Sequence, residues 1–179
     1  MRIATMDHFD HILNWKLKPG SHPFPGKHGG TCINEASIVA AGFEYQPVMR
    51  VKDMPNCFSR PICKLAMQLN DNANDADRQR LLPFVTRLAC ADTREIEAMR
   101  AAFIKSQNVT AYSFEHGLRV LEGALAIGRQ ADAMPALEVR SRMDEVQSRS
   151  LRLTSLADTP VFSKIKSWFE RKPQTEPTA

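Results

Sequence analysis

Apolar residues recur at spacings of three and four along most of the chain, and strictly alternating runs are almost absent. That pattern predicts helices rather than strands. Residues 5–17 place Met6, Phe9, Ile12 and Leu13 on one face, which predicts a short first helix. The stretch 19–30 follows with three prolines and four glycines, a composition that forbids a helix. Long irregular segments of this kind in compact domains are disproportionately functional or mobile. Residues 32–41 predict a small helix with Ile33, Ala36, Val39 and Ala40 inward. Gly42 stands where a glycine just past the C-cap ends such a helix. From Glu44 to Pro55 the chain reads as irregular, with Tyr45 to Val51 as a short extended piece.

Ser59 and Pro61 open the next helix, a capping residue followed by a proline in the first turn, where its missing N–H costs nothing. Its inward face is Ile62, Leu65, Ala66 and Leu69. The run 70–74 breaks the pattern, and Asn74 restarts it as a cap with Asp75 and Asp77 against the helix dipole. Leu81, Leu82, Val85 and Leu88 extend an apolar face across Pro83, which must kink or restart the helix. Asp92-Thr93-Arg94-Glu95 reads as a capping box with Asp92 as the cap, and it puts Ile96, Met99 and Phe103 inward.

A long helix over 107–131 then carries Val109, Tyr112, Leu121, Leu125 and Ile127. Its Gly117, Gly123 and Gly128 each cost about 1 kcal/mol against alanine, so they predict a close approach or a break. Met134-Pro135 restarts the chain. Residues 136–154 read as a helix poor in core residues, with Leu137, Val146, Leu151 and Leu153. Thr159-Pro160 opens a last amphipathic helix with Phe162, Ile165, Trp168 and Phe169 on one face. The tail 172–179 is expected to be disordered. The expected architecture is mainly α. A compact bundle of six to eight short helices spans 1–132, followed by a helical extension over 133–171, and residues 136–179 should be removable without unfolding 1–132.

Composition narrows the class. The 179 residues are 43% hydrophobic and 25% charged, as in ordinary globular domains. Glycine, proline and cysteine number only 8, 11 and 4, which excludes collagen-like, low-complexity and disulfide-scaffold classes. No apolar run is long enough to span a membrane. The net charge of +4 is spread along the chain, so the electrostatic footprint of a nucleic-acid binder is missing apart from the Arg-rich 140–152. The first residues lack an apolar signal segment and a lipidation motif. A cytoplasmic location is therefore expected, with the cysteines as reduced thiols.

Candidate chemistry centres on those thiols. His22, Cys32, Cys57 and Cys63 are the candidate metal ligands, with zinc as the ion and His28 as a further donor, although 32/57/63 lack a close C-x-x-C pair. Cys32 opens a predicted helix, where N–H groups and the dipole favour a thiolate, so a nucleophile with a histidine base is a second reading. The plain reading is small buried apolar residues, Cys90 included. On that reading a serine at 32 would bury an unsatisfied hydroxyl and cost about 1–3 kcal/mol.

Other constellations are weaker. Asp7, His8, Asp10 and His11 share a helix face but want further ligands. The 70–75 run of Asn and Asp lacks the glycine and glutamate of an EF-hand loop. No phosphate loop, dinucleotide fingerprint, H-E-x-x-H or G-x-S-x-G occurs. Glu35, Arg60, Asp71 and Arg87 are candidates for one polar network, either ion pairs that fix helix register or a pocket for a small anion. Phe162, Ile165, Trp168 and Phe169 form a candidate partner-binding face.

Three segments carry a resemblance. They are Gly29-Gly30-Thr31-Cys32-Ile33-Asn34-Glu35, then Pro55-Asn56-Cys57-Phe58-Ser59-Arg60-Pro61, then Asn70-Asp71 leading to Leu82-Pro83-Phe84-Val85-Thr86-Arg87-Leu88. With the closing 121–132 segment they resemble a group of uncharacterised bacterial proteins with G-x-C-x-x-E, P-x-C-x-S-R-P and N-D…L-P-F-V-x-R-L segments. The resemblance covers about residues 19–132, implies a helical fold and brings no activity. The expected function is therefore non-enzymatic: a cytoplasmic helical protein that binds another protein, with no cofactor. The rival is a metal-binding or cysteine-dependent enzyme centred on Cys32. A nucleic-acid-associated regulator is third, and a membrane partner is not expected.

Overall fold

The computed structural model describes residues 16–23, 30–109, 113–133, 137–139, 141–146 and 148. Nearly all of the predicted first helix, residues 24–29, Tyr112, the aromatic face Phe162, Ile165, Trp168 and Phe169, and the tail lie outside the described residues. The fold is mainly helical. Five α-helices are α1 (Ile33–Ala40), α2 (Arg60–Asn72), α3 (Asp75–Gln79), α4 (Arg94–Ser106) and α5 (Phe114–Leu125), with 3-10 turns at Val51–Asp53 and Leu82–Phe84. A further helix covers 137–139, 141–146 and 148. Among the described residues there is no sheet, only a parallel bridge between Leu17 and Thr31. No described helix is long and apolar enough to cross a membrane.

Helix α2 lies at the centre and packs against α1, α4 and α5. Its face Ile62, Leu65, Ala66 and Leu69 is buried as the spacing predicts. Helix α1 buries every residue from Ile33 to Ala40. It ends where Gly42 takes φ +87°, a left-handed conformation that glycine adopts without a Cβ clash. Asn74 caps α3 by accepting from the Asp77 amide. Pro83 lies in the 3-10 turn Leu82–Phe84, which still delivers Leu81, Leu82, Val85 and Leu88 to the core.

Several expectations change. Lys16 and Leu17 are extended rather than helical, and Leu17 pairs with Thr31. The segment holding Cys90 is turn and coil rather than helix, although Cys90 is buried. The cap of α4 is Thr93, which accepts from the Ile96 amide, while Asp92 accepts from Thr93 and Arg129. Met99 is exposed, and Arg100 points inward instead. The long 107–131 helix is broken: α4 ends at Ser106 and α5 begins at Phe114. Gly117 and Gly123 are points of close approach. A Cβ at 117 would overlap Leu69, and one at 123 would overlap Phe103.

The helix after 136 is also closer to the core than expected. Leu137 is 74% exposed, yet Val139 and Met143 are fully buried in the same apolar cluster as α1 and α2. The true stripe is 139/143/146, spaced four and three, rather than one through Leu137. Removing 136–179 takes Val139 and Met143 out of that cluster. Met143→Ala is expected to cost about 2 kcal/mol through the lost methylenes and the cavity left behind. Urea denaturation of the full chain checks it, and an unchanged midpoint would place residues 137–148 outside the folding unit.

Candidate functional site: a buried carboxylate and a thiol

Cys32 is the N-cap of α1 and Glu35 lies in its first turn. The two close a reciprocal box. The Glu35 amide donates to Cys32 Sγ at 3.5 Å, and the Cys32 amide donates to Glu35 Oε2 at 2.9 Å. Capping boxes normally use serine or threonine; here sulfur takes the place of the hydroxyl.

Glu35 is 0% exposed, and both carboxylate oxygens are fully occupied. Oε1 accepts from Ser21 Oγ at 2.9 Å, the His22 amide at 2.9 Å and the Val48 amide at 3.2 Å. Oε2 accepts from the Cys32 amide and from Thr31 Oγ1 at 3.1 Å, and His22 Nδ1 lies 3.2 Å away. Burial pushes the carboxyl up, but the N–H donors of Cys32, His22 and Val48 and the Ser21 hydroxyl outweigh it. Glu35 is held below the ordinary glutamate value.

One carboxylate thus pins three segments together: the loop 17–22, the start of α1 and the loop at Val48. The rest of the loop is held by side chains that take the place of a strand partner. Gln79 brackets Leu17, accepting from its amide at 2.9 Å and donating to its carbonyl at 3.0 Å. Asn70 donates to the Lys18 carbonyl at 2.9 Å, and Asp71 accepts from the Gly20 amide at 2.8 Å. For the buried Leu17 these bonds meet the demand of a buried backbone for partners.

Cys32 is 2% exposed. Burial and then the neighbouring Glu35 charge push its thiol well above the ordinary cysteine range. That opposes the lowered pKa a nucleophilic thiol needs. The capping geometry also corrects the expectation for serine at this position, because the Glu35 amide is a ready partner for a hydroxyl. A shallow hollow of about 170 Å³ opens beside Cys32, walled by Gly20, Ser21, Met49, Met67 and Asp71.

The candidate metal ligands do not converge. His22 is bound to Glu35, Cys32 caps α1, Cys63 is buried in α2, and Cys57 is exposed on the turn before α2. Among the described residues no three His, Cys, Asp or Glu side chains form a group that could hold a metal ion. All four cysteines are free thiols.

Nor do Glu35, Arg60, Asp71 and Arg87 form one network. Arg60 donates to the Val51 carbonyl at 2.8 Å and to Asn56 at 3.4 Å. Arg87 makes two 2.8 Å bonds to Glu122 and stacks over Phe84. Glu35 and Asp71 share only the loop 20–22 that both hold. Four local clamps stand where one network was expected, because each side chain finds a loop or helix partner nearer than the others.

Arg100 is a buried polar residue that sequence reasoning missed. It is 0% exposed, and its guanidinium donates to the carbonyls of Cys90 at 2.7 Å, Ile127 at 2.9 Å and Arg129 at 2.8 Å and to Glu97 at 2.7 Å. The available signal was its spacing, since 96/100/103 is a core stripe with one arginine in it.

A second hollow, of about 270 Å³, has a floor of Ala40, Ala41, Ala89, Ala91 and Ala131. Phe43, itself 44% exposed, stands on its wall with Val85, and Cys57, Arg129 and Asp132 give it a polar edge. Comparison with protein-family models, with characterised proteins and with solved structures finds no match to this chain.

Proposed function

We propose that this protein acts by binding another protein rather than by catalysis, receiving an apolar side chain of its partner in the alanine-floored groove. The observation that carries this reading is the groove itself. Five alanines leave about 270 Å³ open where larger side chains would have closed the core. A partly exposed phenylalanine flanks it, and a cation and an anion, Arg129 and Asp132, sit at the edge 3.0 Å from each other. Interfaces of this kind place an aromatic or aliphatic anchor in a pocket with a polar rim. The partner chemistry that fits is a peptide segment with one bulky apolar residue flanked by charge. The reading places the protein in the cytoplasm, where free thiols persist, and assigns it no nucleic-acid or membrane partner.

Selection of displayed peptides against the full chain tests it. Enriched peptides should carry a bulky apolar residue at a fixed position, and their affinity should fall at least tenfold for Cys57→Trp, which fills the groove from an exposed site. Failure to enrich such a motif, or equal binding by a folded Cys57→Trp protein, contradicts the reading.

A further inference from the structure

We propose that the hollow beside Cys32 binds one soft monovalent cation, Cu(I), through the Cys32 sulfur and the thioethers of Met49 and Met67. Three sulfur-bearing side chains from three separate segments wall one opening: the N-cap of α1, the loop before Val51 and the middle of α2. Met49 is 78% exposed, so it stands at the mouth of the hollow and contributes nothing to the core. Among the described residues no cationic side chain lines the hollow, the Asp71 carboxylate forms part of its wall, and the buried Glu35 charge lies next to Cys32. The local field therefore favours a cation.

Size and donor type decide which one. The opening of about 170 Å³ is smaller than the roughly 300–1,000 Å³ of small-molecule pockets. Calcium takes six to eight oxygen ligands, and the described residues of this wall offer one carboxylate and one hydroxyl. Structural zinc asks for four thiolate, imidazole or carboxylate ligands. Thiolate with thioether is the donor set that selects Cu(I). Binding exchanges a proton for the metal: the Cys32 S–H bond breaks, a sulfur–copper bond forms, the proton leaves to the buffer, and no electron is transferred. This site shares no lining residue with the alanine groove and is independent of it.

The test uses the full chain carrying Cys57→Ser, which removes the exposed thiol. Anaerobic Cu(I) is titrated against a chromophoric Cu(I) chelator, and Ag(I), which is redox-inert, is titrated by calorimetry. One equivalent of each should bind, with X-ray absorption showing a sulfur-only shell. Cys32→Ser should abolish binding while the fold persists, because serine is a good N-cap. Met67→Leu and Met49→Leu, close in volume, should each weaken it at least tenfold. Zn(II) and Ca(II) should bind at least a hundredfold more weakly. Retention of Cu(I) by Cys32→Ser, no loss of affinity in both methionine variants, or no binding in competition with the chelator would each overturn the proposal.

Discussion

Glu35→Gln is expected to destabilise the protein by about 3 kcal/mol, the loss of several hydrogen bonds to a buried charge. The amide has no orientation that fits. Its NH₂ meets either the His22 and Val48 amides, which now donate to Oε1, or the Cys32 amide, which donates to Oε2. At roughly 2–4 °C per kcal/mol for a domain of this size, the melting temperature should fall by about 10 °C. The same carboxylate sets an acid limit. Because its folded value lies below the ordinary 4.5, its stabilising effect is fully present above about pH 4.5 and is lost as the pH falls through the folded value. Wild type should therefore lose stability more steeply than Glu35→Gln below that pH. Thermal melts of both proteins from pH 7 to pH 3 check this, and parallel curves would contradict it by showing that folding leaves the carboxyl pKa unchanged.

Arg100→Met should cost about 3–5 kcal/mol, the range for removing one member of a buried charged group and leaving its partners unpaired. The partners are three backbone carbonyls, at Cys90, Ile127 and Arg129, and the Glu97 carboxylate. The carbonyls belong to the segment before α4 and the segment after α5, so the guanidinium ties the start of α4 to the end of α5. Glu97 also accepts from Ser59 at 2.7 Å, which carries the effect to the start of α2. Guanidinium denaturation should show a lower midpoint for Arg100→Met, and a change below 1 kcal/mol would mean that these carbonyls find water instead.

The helices themselves were largely legible in the sequence. The starts at Ser59-Arg60-Pro61 and Asn74, the stop at Gly42 and the apolar faces of α1 and α2 follow from local residues and period, although the Ser59 hydroxyl forms no cap and donates to Glu97 instead. Misplaced features share a physical cause. The partners of Glu35 are a hydroxyl, a histidine and backbone amides on segments with no periodicity, so nothing in the spacing announces their convergence. Cys32 was legible as the opening of a helix, but its thiol was expected either to be apolar or to be ionised. It is buried and un-ionised, as the first of these expects, but its sulfur also accepts from the Glu35 amide. Val139 and Met143 were passed over because Leu137, the larger residue, drew the stripe onto the wrong face. The alanine groove left no mark in the sequence at all: alanines at the end of α1, in the coil 89–91 and at residue 131 meet only in three dimensions.

The most direct test of a binding protein without a catalytic thiol is the alkylation rate of each cysteine in the native full chain, read by mass spectrometry near neutral pH. Cys57 is exposed at the groove edge, while Cys32, Cys63 and Cys90 are buried with thiols pushed up by burial. Cys57 should label fastest and be protected by a groove-binding peptide, with the other three labelling only on denaturation. Fast native labelling of Cys32, or a Cys57 rate unchanged by bound peptide, would contradict it.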